Sequence, residues 1–519
     1  MSVISPRSLG VAIAAPPFAP RAPAVGGGRS LRLWLAGCVL LVVLLRLPWI
    51  TAPLSVDEGG VAYVVSGAGG GHFPYGHYFL DRPPLLVLLY TVALIGGDLG
   101  IRVLGMLAAA AVVVTVGLIA RRVAGVPAAR CAAVVAAALC GSGAIQIVYT
   151  TAEALAIVPG ALSVLCVVVA VQEPRRARHL LFAAGALAMA SLLVKQSFGD
   201  ALIAGCAALA FVSPGDVRRR VTLAGAYFAG AATPVVAMEI WERLAHVKNG
   251  AMSYALLGFR LDGFKALAGS ETGIFDRMPR LLLPFLGSGL IVALVCAALG
   301  ARLLRSRTPV FAALAAWLAC GIAGILAGGS YWPHYLIQIV PATAVLAGTA
   351  LAARGGRAMK GTLALLVACS VAGAALGLVA GASSDQRATL RVSHFVRAND
   401  RPGDTMYVLY ARANVLHSVG LPSPFPYDWS LMMRTIPGAQ QRLRTLLRSP
   451  ARPTWIVQWQ KTTAFSLDKD HVTQRLVARD YRVAATVCNR RVWLRRDAWA
   501  GRHIAVPPVG RCVSPGPPV

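Results

Sequence analysis

Acidic residues are scarce in this chain. Asp and Glu number 21 against 50 Lys and Arg, and charged residues of all kinds make up only 14% of 519 positions. With a mean hydropathy of +0.64, so little charge excludes an ordinary soluble globule. No CxxC pair occurs anywhere, which argues against a cysteine-held metal. Eight of the ten cysteines (Cys38, Cys131, Cys140, Cys166, Cys206, Cys296, Cys320, Cys369) fall inside apolar runs, where they read as small core residues. No solenoid-type repeat is present. Residues 1–31 are rich in Pro, Gly and Ala and have no apolar core before Leu33, so they do not read as a cleavable signal peptide. They are expected to form a disordered cytoplasmic tail.

What the chain has in quantity is apolar length. Hydrophobic residues make up 57% of it. Several of the runs they form reach about 17–25 residues, each able to cross ~30 Å of hydrocarbon. Eleven runs read as spanning helices, near 32–50, 101–120, 131–149, 154–171, 180–194, 200–213, 221–240, 280–300, 309–327, 335–352 and 361–381. The expected class is an all-α polytopic membrane protein. A further apolar stretch, 85–95, follows Pro83-Pro84 and is closed by Gly96-Gly97-Asp98. At 1.5 Å per residue it reaches only ~18 Å, so it is expected as an interfacial or re-entrant helix in the first outer loop.

Loop charge supports that count. With the N-terminal tail inside, five loops fall on the cytoplasmic side. Each carries three basic residues, from Arg121, Arg122 and Arg130 in the first to Arg354, Arg357 and Lys360 in the last. The short outer loops 150–153 and 328–334 carry none. Counting 85–95 as a crossing would invert the pattern against the positive-inside rule. The net charge of +29 therefore reads as topology and anionic-lipid contact, not as nucleic-acid binding.

From about 383 the composition is no longer that of a membrane segment. Short strands are expected at 405–410, 454–459, 482–487 and 491–494, and helices at 393–399, 439–447 and 471–481. The division is thus a tail over 1–31, a membrane domain over 32–382 and a small α/β domain over 383–519 outside the membrane. Cys488 and Cys512 both fall in that last part. They are either a disulfide, if it is exported, or two unpaired thiols.

The polar residues near span ends converge on the outer side. Asp57 and Glu58 follow the first span. They are either a solvated acidic pair or a site in which one carboxylate takes a proton from an attacking hydroxyl, as a general base does. Arg82, beside Asp81 and ahead of Pro83-Pro84, offers a planar charge at a helix start, suited to a phosphate at the membrane surface; plain snorkelling is the alternative. Asp81 would orient Arg82 or bind a divalent ion. His72 and His77 flank a segment rich in glycine, whose mobility suits substrate entry. Glu153 is either a first-turn acid that complements a helix dipole or part of the site. Lys195 and Gln196 end a span, as a snorkelling pair or as phosphate or sugar contacts. Tyr331 and His334 lie in YWPHY, either as an interfacial aromatic belt or as ligands to phosphate, metal or sugar.

An acidic pair after the first span and a loop ending in DRPPL resemble the C-type glycosyltransferases, which use lipid-phosphate sugars. TAEALAIVPG, LLVKQS and YWPHYLIQIVP are similar to what bacterial members of the protein O-mannosyltransferase and aminoarabinose transferase branch carry in the same order. The family usually has Glu-Lys where Asp81-Arg82 stands, so charge is kept. The resemblance implies that Asp57 is the catalytic or acceptor-orienting carboxylate, with Glu58 beside it. It implies that Arg82 and Lys195 contact the donor phosphate and that Glu153 and His334 line the same cavity. The donor would be a polyprenyl-phosphate monosaccharide and the acceptor a hydroxyl on protein, glycolipid or cell-wall polysaccharide, with inversion. The sugar arrives on a lipid, so no nucleotide cofactor is expected; a divalent metal ion is open, with Asp81 and His334 as candidate ligands. The expected setting is the bacterial cytoplasmic membrane, N-terminus inside and C-terminal domain outside. The competing reading is a transporter or flippase of lipid-linked saccharides.

Overall fold

In hydrocarbon every backbone N–H and C=O must be paired within the chain, and for apolar runs of this length the helix does so. The computed structural model describes residues 27–68, 74–212, 215–268, 275–380, 384–410 and 412–505. Most of the expected tail, His72 and Cys512 therefore lie outside the described residues. The helices up to the long outer loop are α1 (Gly27–Arg46), α2 (Val56–Ala68), α3 (Pro84–Ala93), α4 (Gly97–Cys140), α5 (Ala152–Gln172), α6 (Ala177–Val194), α7 (Asp200–Phe211) and α8 (Val217–Leu244). Beyond that loop run Leu290–Leu304, Thr308–Ala327, Val340–Arg354 and Gly356–Ala380. This is a multi-pass membrane fold.

Among the described residues eight helices are long and apolar enough to cross a membrane, or nine if one bent pair counts as a single span. Eleven crossings were expected, and the difference has physical sources. The unit Pro84–Cys140 counts once, although Gly125 at φ 86° breaks α4 ahead of Pro127, between two of the expected runs. α7 has 12 residues, about 18 Å of helix. The run before Leu290 bends by 81° against its successor. α3 is the short helix expected after the proline pair, with Pro83 at its N-cap.

Small residues set how closely the helices pack. A Cβ at Gly185 would lie 1.9 Å from the Tyr227 carbonyl, and one at Gly230 would lie 1.9 Å from that of Phe182. α6 and α8 therefore touch backbone to backbone. Arg46 ends α1 but does not reach water: only 3% exposed, it donates to the carbonyls of Cys140, Ile147 and Val148. It supplies partners where α4 stops and the chain turns towards α5.

The C-terminal part builds one mixed sheet from β1 (Met406–Leu409), β2 (Trp455–Gln458), β3 (Tyr481–Val487) and β4 (Arg490–Arg495), in the order β1-β2-β4-β3. β1 and β2 are parallel and the other pairs antiparallel. Cys488 and Asn489, both at positive φ, make the two-residue hairpin turn that suits strand twist. Cys488 is disulfide-bonded. Helices Ser384–Arg397, Ala439–Arg448 and Val472–Asp480 accompany the sheet.

This part is seated on α2 through two glycines. A Cβ at Gly59 would lie 2.6 Å from the Asn414 Cβ, and one at Gly60 would lie 2.3 Å from the Trp429 ring. The glycines after Asp57-Glu58 are thus what lets helix Ala413–Val419 and Trp429 approach. The Tyr63 and Tyr78 hydroxyls, 3.2 Å apart, engage the Ser423 backbone, and His417 meets Asp98 at 2.8 Å. Asp428 is buried at this seam, and neither of its carboxylate oxygens is hydrogen-bonded among the described residues. Burial pushes its carboxyl up to about 8.

Candidate functional site

Glu58 is fully buried. Its Oε1 accepts from Arg102 Nη1 at 2.6 Å and from the Thr150 amide, while Oε2 accepts from the Ser55 amide at 2.8 Å. These bonds tie the start of α2 to α4 and to the turn before α5. Consecutive residues diverge by about 100° around a helix, so Asp57 is free of that network. It is half-buried and makes no hydrogen bond or ion pair among the described residues. It lies within electrostatic reach of Arg82 and Arg412.

The loop before α3 brings Asp81 and Arg82 to the same region. Arg82 Nη1 lies 2.6 Å from Asp81 Oδ1, and Arg260 Nη2 lies 2.9 Å from Asp81 Oδ2. Gln196 donates to the Asp81 carbonyl at 2.9 Å, and Tyr75 holds the Arg82 carbonyl. Burial alone would raise the Asp81 carboxyl, but Arg82, Arg260 and Lys195 outweigh it and hold it below the usual carboxylate range. Burial weakens Arg82 as a base, yet Asp81, Asp57 and Glu153 more than compensate. It stays charged.

Lys195, just past the end of α6, points its Nζ at Glu153 Oε1, 2.8 Å away. Its ammonium is pushed down to about 8, first by burial and then by Arg82, with Glu153 opposing. His334 Nε2 is 3.8 Å from the same Glu153 oxygen, and its Nδ1 is 3.2 Å from Gln146 Oε1. Tyr335 stacks edge-on to His334 and lies within electrostatic reach of Glu153, Arg260, Arg82 and Asp57. Of the residues expected from the sequence, Asp81, Arg82, Glu153, Lys195, Gln196 and His334 therefore gather, with Asp57 in electrostatic reach; Glu58 is committed to Arg102 and two amides, and Tyr331 stands apart. Tyr331 is fully buried at positive φ and donates to the Leu326 carbonyl at 3.0 Å, so it supports the turn and is not brought to the cluster.

Arg260 is the member that sequence reasoning missed. It opens helix Phe259–Ala268 in the long outer loop, with no motif around it, and only its pairing with Asp81 reveals it. Beside the cluster lies a cavity of about 570 Å³, reached past Pro83 and Gln196. Its walls are mainly apolar (Met189, Leu192, Leu193, Met238, Leu256), with Glu239 and Glu242 also lining it.

The side chains as arranged do not fit a divalent cation. Each Asp81 oxygen already carries a guanidinium and Glu153 carries an ammonium. Among the described residues no three His, Cys, Asp or Glu groups meet as a metal set would. What the cluster offers is positive charge to a phosphate, next to one uncommitted carboxylate.

The fold has counterparts among solved structures of low sequence identity. It is similar to ArnT from Cupriavidus metallidurans, with a TM-score of 0.64 at 15% identity over 91% of this chain and 99% of that one. The same protein bound to undecaprenyl phosphate matches at 0.64 and 15%, over 90% and 98%. The Archaeoglobus fulgidus oligosaccharyltransferase tethered with an acceptor peptide matches at 0.50 and 13%, over 83% of this chain and 69% of that one. No protein-family model matches the chain. No curated protein sequence matches it either.

Proposed function

We propose that this protein is a glycosyltransferase. It moves a monosaccharide from a polyprenyl-phosphate donor to an acceptor hydroxyl on the outer side of the cytoplasmic membrane, with inversion at the anomeric carbon. The observation that carries the reading is the cluster itself. Arg82, Arg260 and Lys195 converge from three separate segments on Asp81 and Glu153, beside an apolar cavity and the free carboxylate of Asp57. A lipid-phosphate leaving group needs those cations as its charge develops. The attacking hydroxyl needs a base within reach, and Asp57 has no other partner among the described residues. In ArnT, which has this fold, undecaprenyl phosphate is the bound molecule. Glu58, saturated by Arg102 and two amides, positions α2 and does not take the proton. Tyr331 has a supporting role.

The orientation follows from two sources. The arginine-bearing loops lie on one side by the positive-inside rule, and the disulfide at Cys488 suits an oxidising compartment. A flippase would place charge along its spans. Here the buried arginines Arg46 and Arg102 are spent on backbone carbonyls and on Glu58, and the remaining site charges gather at one end of the bundle. The test is purified protein given a panel of polyprenyl-phosphate sugars, with and without chelator. Release or transfer of sugar from one of them, lost in Asp57→Asn, supports the reading. Failure to consume any lipid-linked sugar would discard it.

A further inference from the structure

Helix Phe259–Ala268 carries Arg260 to Asp81, yet it has only 10 residues, fewer than the ~12–15 at which a helix holds itself together in water. Leu261 and Phe264 on it are exposed, so packing on another face has to tie it down. That face is Phe259, Gly263 and Ala266, spaced as neighbours along a helix, and it rests on the C-terminal part. Phe259 is 1% exposed and shares one apolar cluster with Tyr427. Gly263 is buried, and a Cβ there would lie 3.6 Å from the Leu431 side chain. Arg434 donates to the Ala266 carbonyl at 3.1 Å.

Asp81 hangs from the same contact. Two residues ahead of it, the Phe79 amide donates to the Pro426 carbonyl at 3.1 Å. The Phe79 ring centre lies 5.1 Å from that of Phe259 and 6.1 Å from that of Tyr427. The two rings in touch therefore stand just before the two charged partners, Phe79 ahead of Asp81 and Phe259 ahead of Arg260. Arg260 then meets Asp81 twice, at Oδ2 (2.9 Å) and at the carbonyl (3.3 Å). A π-helical turn at Tyr254–Gly258, a form frequent at functional sites, separates Arg260 from Met252, Ser253 and Leu256, which line the cavity. Segment 426–434 is itself seated on α2, by Trp429 against Gly60.

Resting on the phosphate site of the glycosyltransferase reading above, we propose that Phe79 and Phe259 are positioning residues for lipid-phosphate binding. Clamped together by segment 426–434, they set Arg260 against Asp81, so the C-terminal part completes the phosphate site without contributing a ligand to it. Neither ring touches the phosphate. Their whole effect passes through the Arg260 guanidinium.

The experiment measures the Kd of the full-length protein in detergent for undecaprenyl phosphate, with melting temperature alongside. Arg260→Ala is expected to weaken binding by roughly 5- to 30-fold, and Phe259→Ala by roughly 3- to 10-fold, a part of the same contact. Leu431→Ala, in the C-terminal part, should weaken it in the same direction, and Phe259→Leu should stay closer to wild type than Phe259→Ala. In the Arg260→Ala background, Phe259→Ala and Leu431→Ala should cost nothing more, because residues that act through one group are not additive. Leu261→Ala, on the exposed side of the same helix, should bind as wild type does. Wild-type affinity in Phe259→Ala would overturn the proposal, as would losses that add to that of Arg260→Ala or an equal loss in Leu261→Ala. No binding of undecaprenyl phosphate by the wild type would overturn it too. Binding that follows this pattern in a protein that consumes no lipid-linked sugar would discard the enzyme reading and support the phosphate clamp.

Discussion

Replacing Arg260 with Ala should weaken donor use by a predictable amount. The Arg260 side chain is 34% exposed and shares Asp81 with Arg82, which is 18% exposed. Solvent screens the Arg260 contribution more than that of Arg82. A partly exposed charge contact of this kind is worth about 1–2 kcal/mol, between the values for surface and buried pairs. That corresponds to roughly a 5- to 30-fold loss in kcat/KM for the donor. Arg82→Ala should cost more, because its charge is less screened. A second comparison isolates the mechanism. In Arg260→Ala, Asp81 turns its whole charge onto Arg82, so adding Asp81→Asn should recover part of the lost donor use, a non-additive result between neighbours. Initial rates with a labelled polyprenyl-phosphate sugar in detergent measure wild type, the three single variants and the Arg260→Ala/Asp81→Asn double variant. Wild-type kcat/KM in Arg260→Ala, or strict additivity with Asp81→Asn, would refute a phosphate site shared by the first and the long outer loops.

Three further outcomes are expected. Asp57→Asn should abolish transfer while membrane insertion and melting temperature stay at wild-type values; residual turnover near wild type would remove Asp57 from the base role. Lys195 must be protonated to hold a phosphate and is pushed down to about 8, so donor KM should rise as pH climbs through about 8, and Lys195→Arg should abolish that alkaline limb; a limb unchanged in the variant refutes the assignment. Asp428 is raised from 3.8 to about 8, so the folded state holds a proton that the unfolded chain has lost between those values. Stability should therefore fall as pH rises through that window, and Asp428→Asn should remove the slope and gain up to a few kcal/mol above pH 8; parallel melting curves for the two proteins from pH 5 to 9 would contradict it.

Much of the fold was legible because hydrocarbon imposes a simple rule on apolar runs. The strands at 405–410, 454–459, 482–487 and 491–494 likewise reappear as β1, β2, β3 and β4, since alternation with turn residues on either side is a local signal. Crossing counts were less legible. Gly125 lets one continuous unit contain two runs, and nothing local says whether a 12-residue helix such as α7 spans or stops. In the site, residues inside motifs were visible and their roles were not. Asp57 and Glu58 look equivalent as letters, and only Arg102, from another helix, separates them by claiming one. Arg260 is joined to the site by tertiary contact alone. Gly59 and Gly60 carried information that went unread: two glycines beside a putting-together of helices mark a close approach, here by Asn414 and Trp429.

The charge of the cluster also bears on which step limits turnover. A polyprenyl-phosphate sugar is a phosphodiester with one negative charge, whereas the polyprenyl phosphate left after transfer is a monoester that approaches two near neutral pH. Among the paired groups, three cations face two acids, one unit of positive charge in excess, with the Asp57 carboxylate standing outside these pairs. That excess is neutralised by the donor and exceeded by the product, so the site favours the charge that develops as the sugar departs. The same preference slows release of what remains. Polyprenyl phosphate should therefore inhibit competitively with a Ki below the donor KM by ~3- to 10-fold, about what one extra screened charge contact supplies. The ratio should collapse towards one in Arg82→Ala and Arg260→Ala, which remove the excess. A Ki equal to or above the donor KM in the wild type would mean that these cations do not distinguish donor from product, and the transition-state role assigned to them would fall.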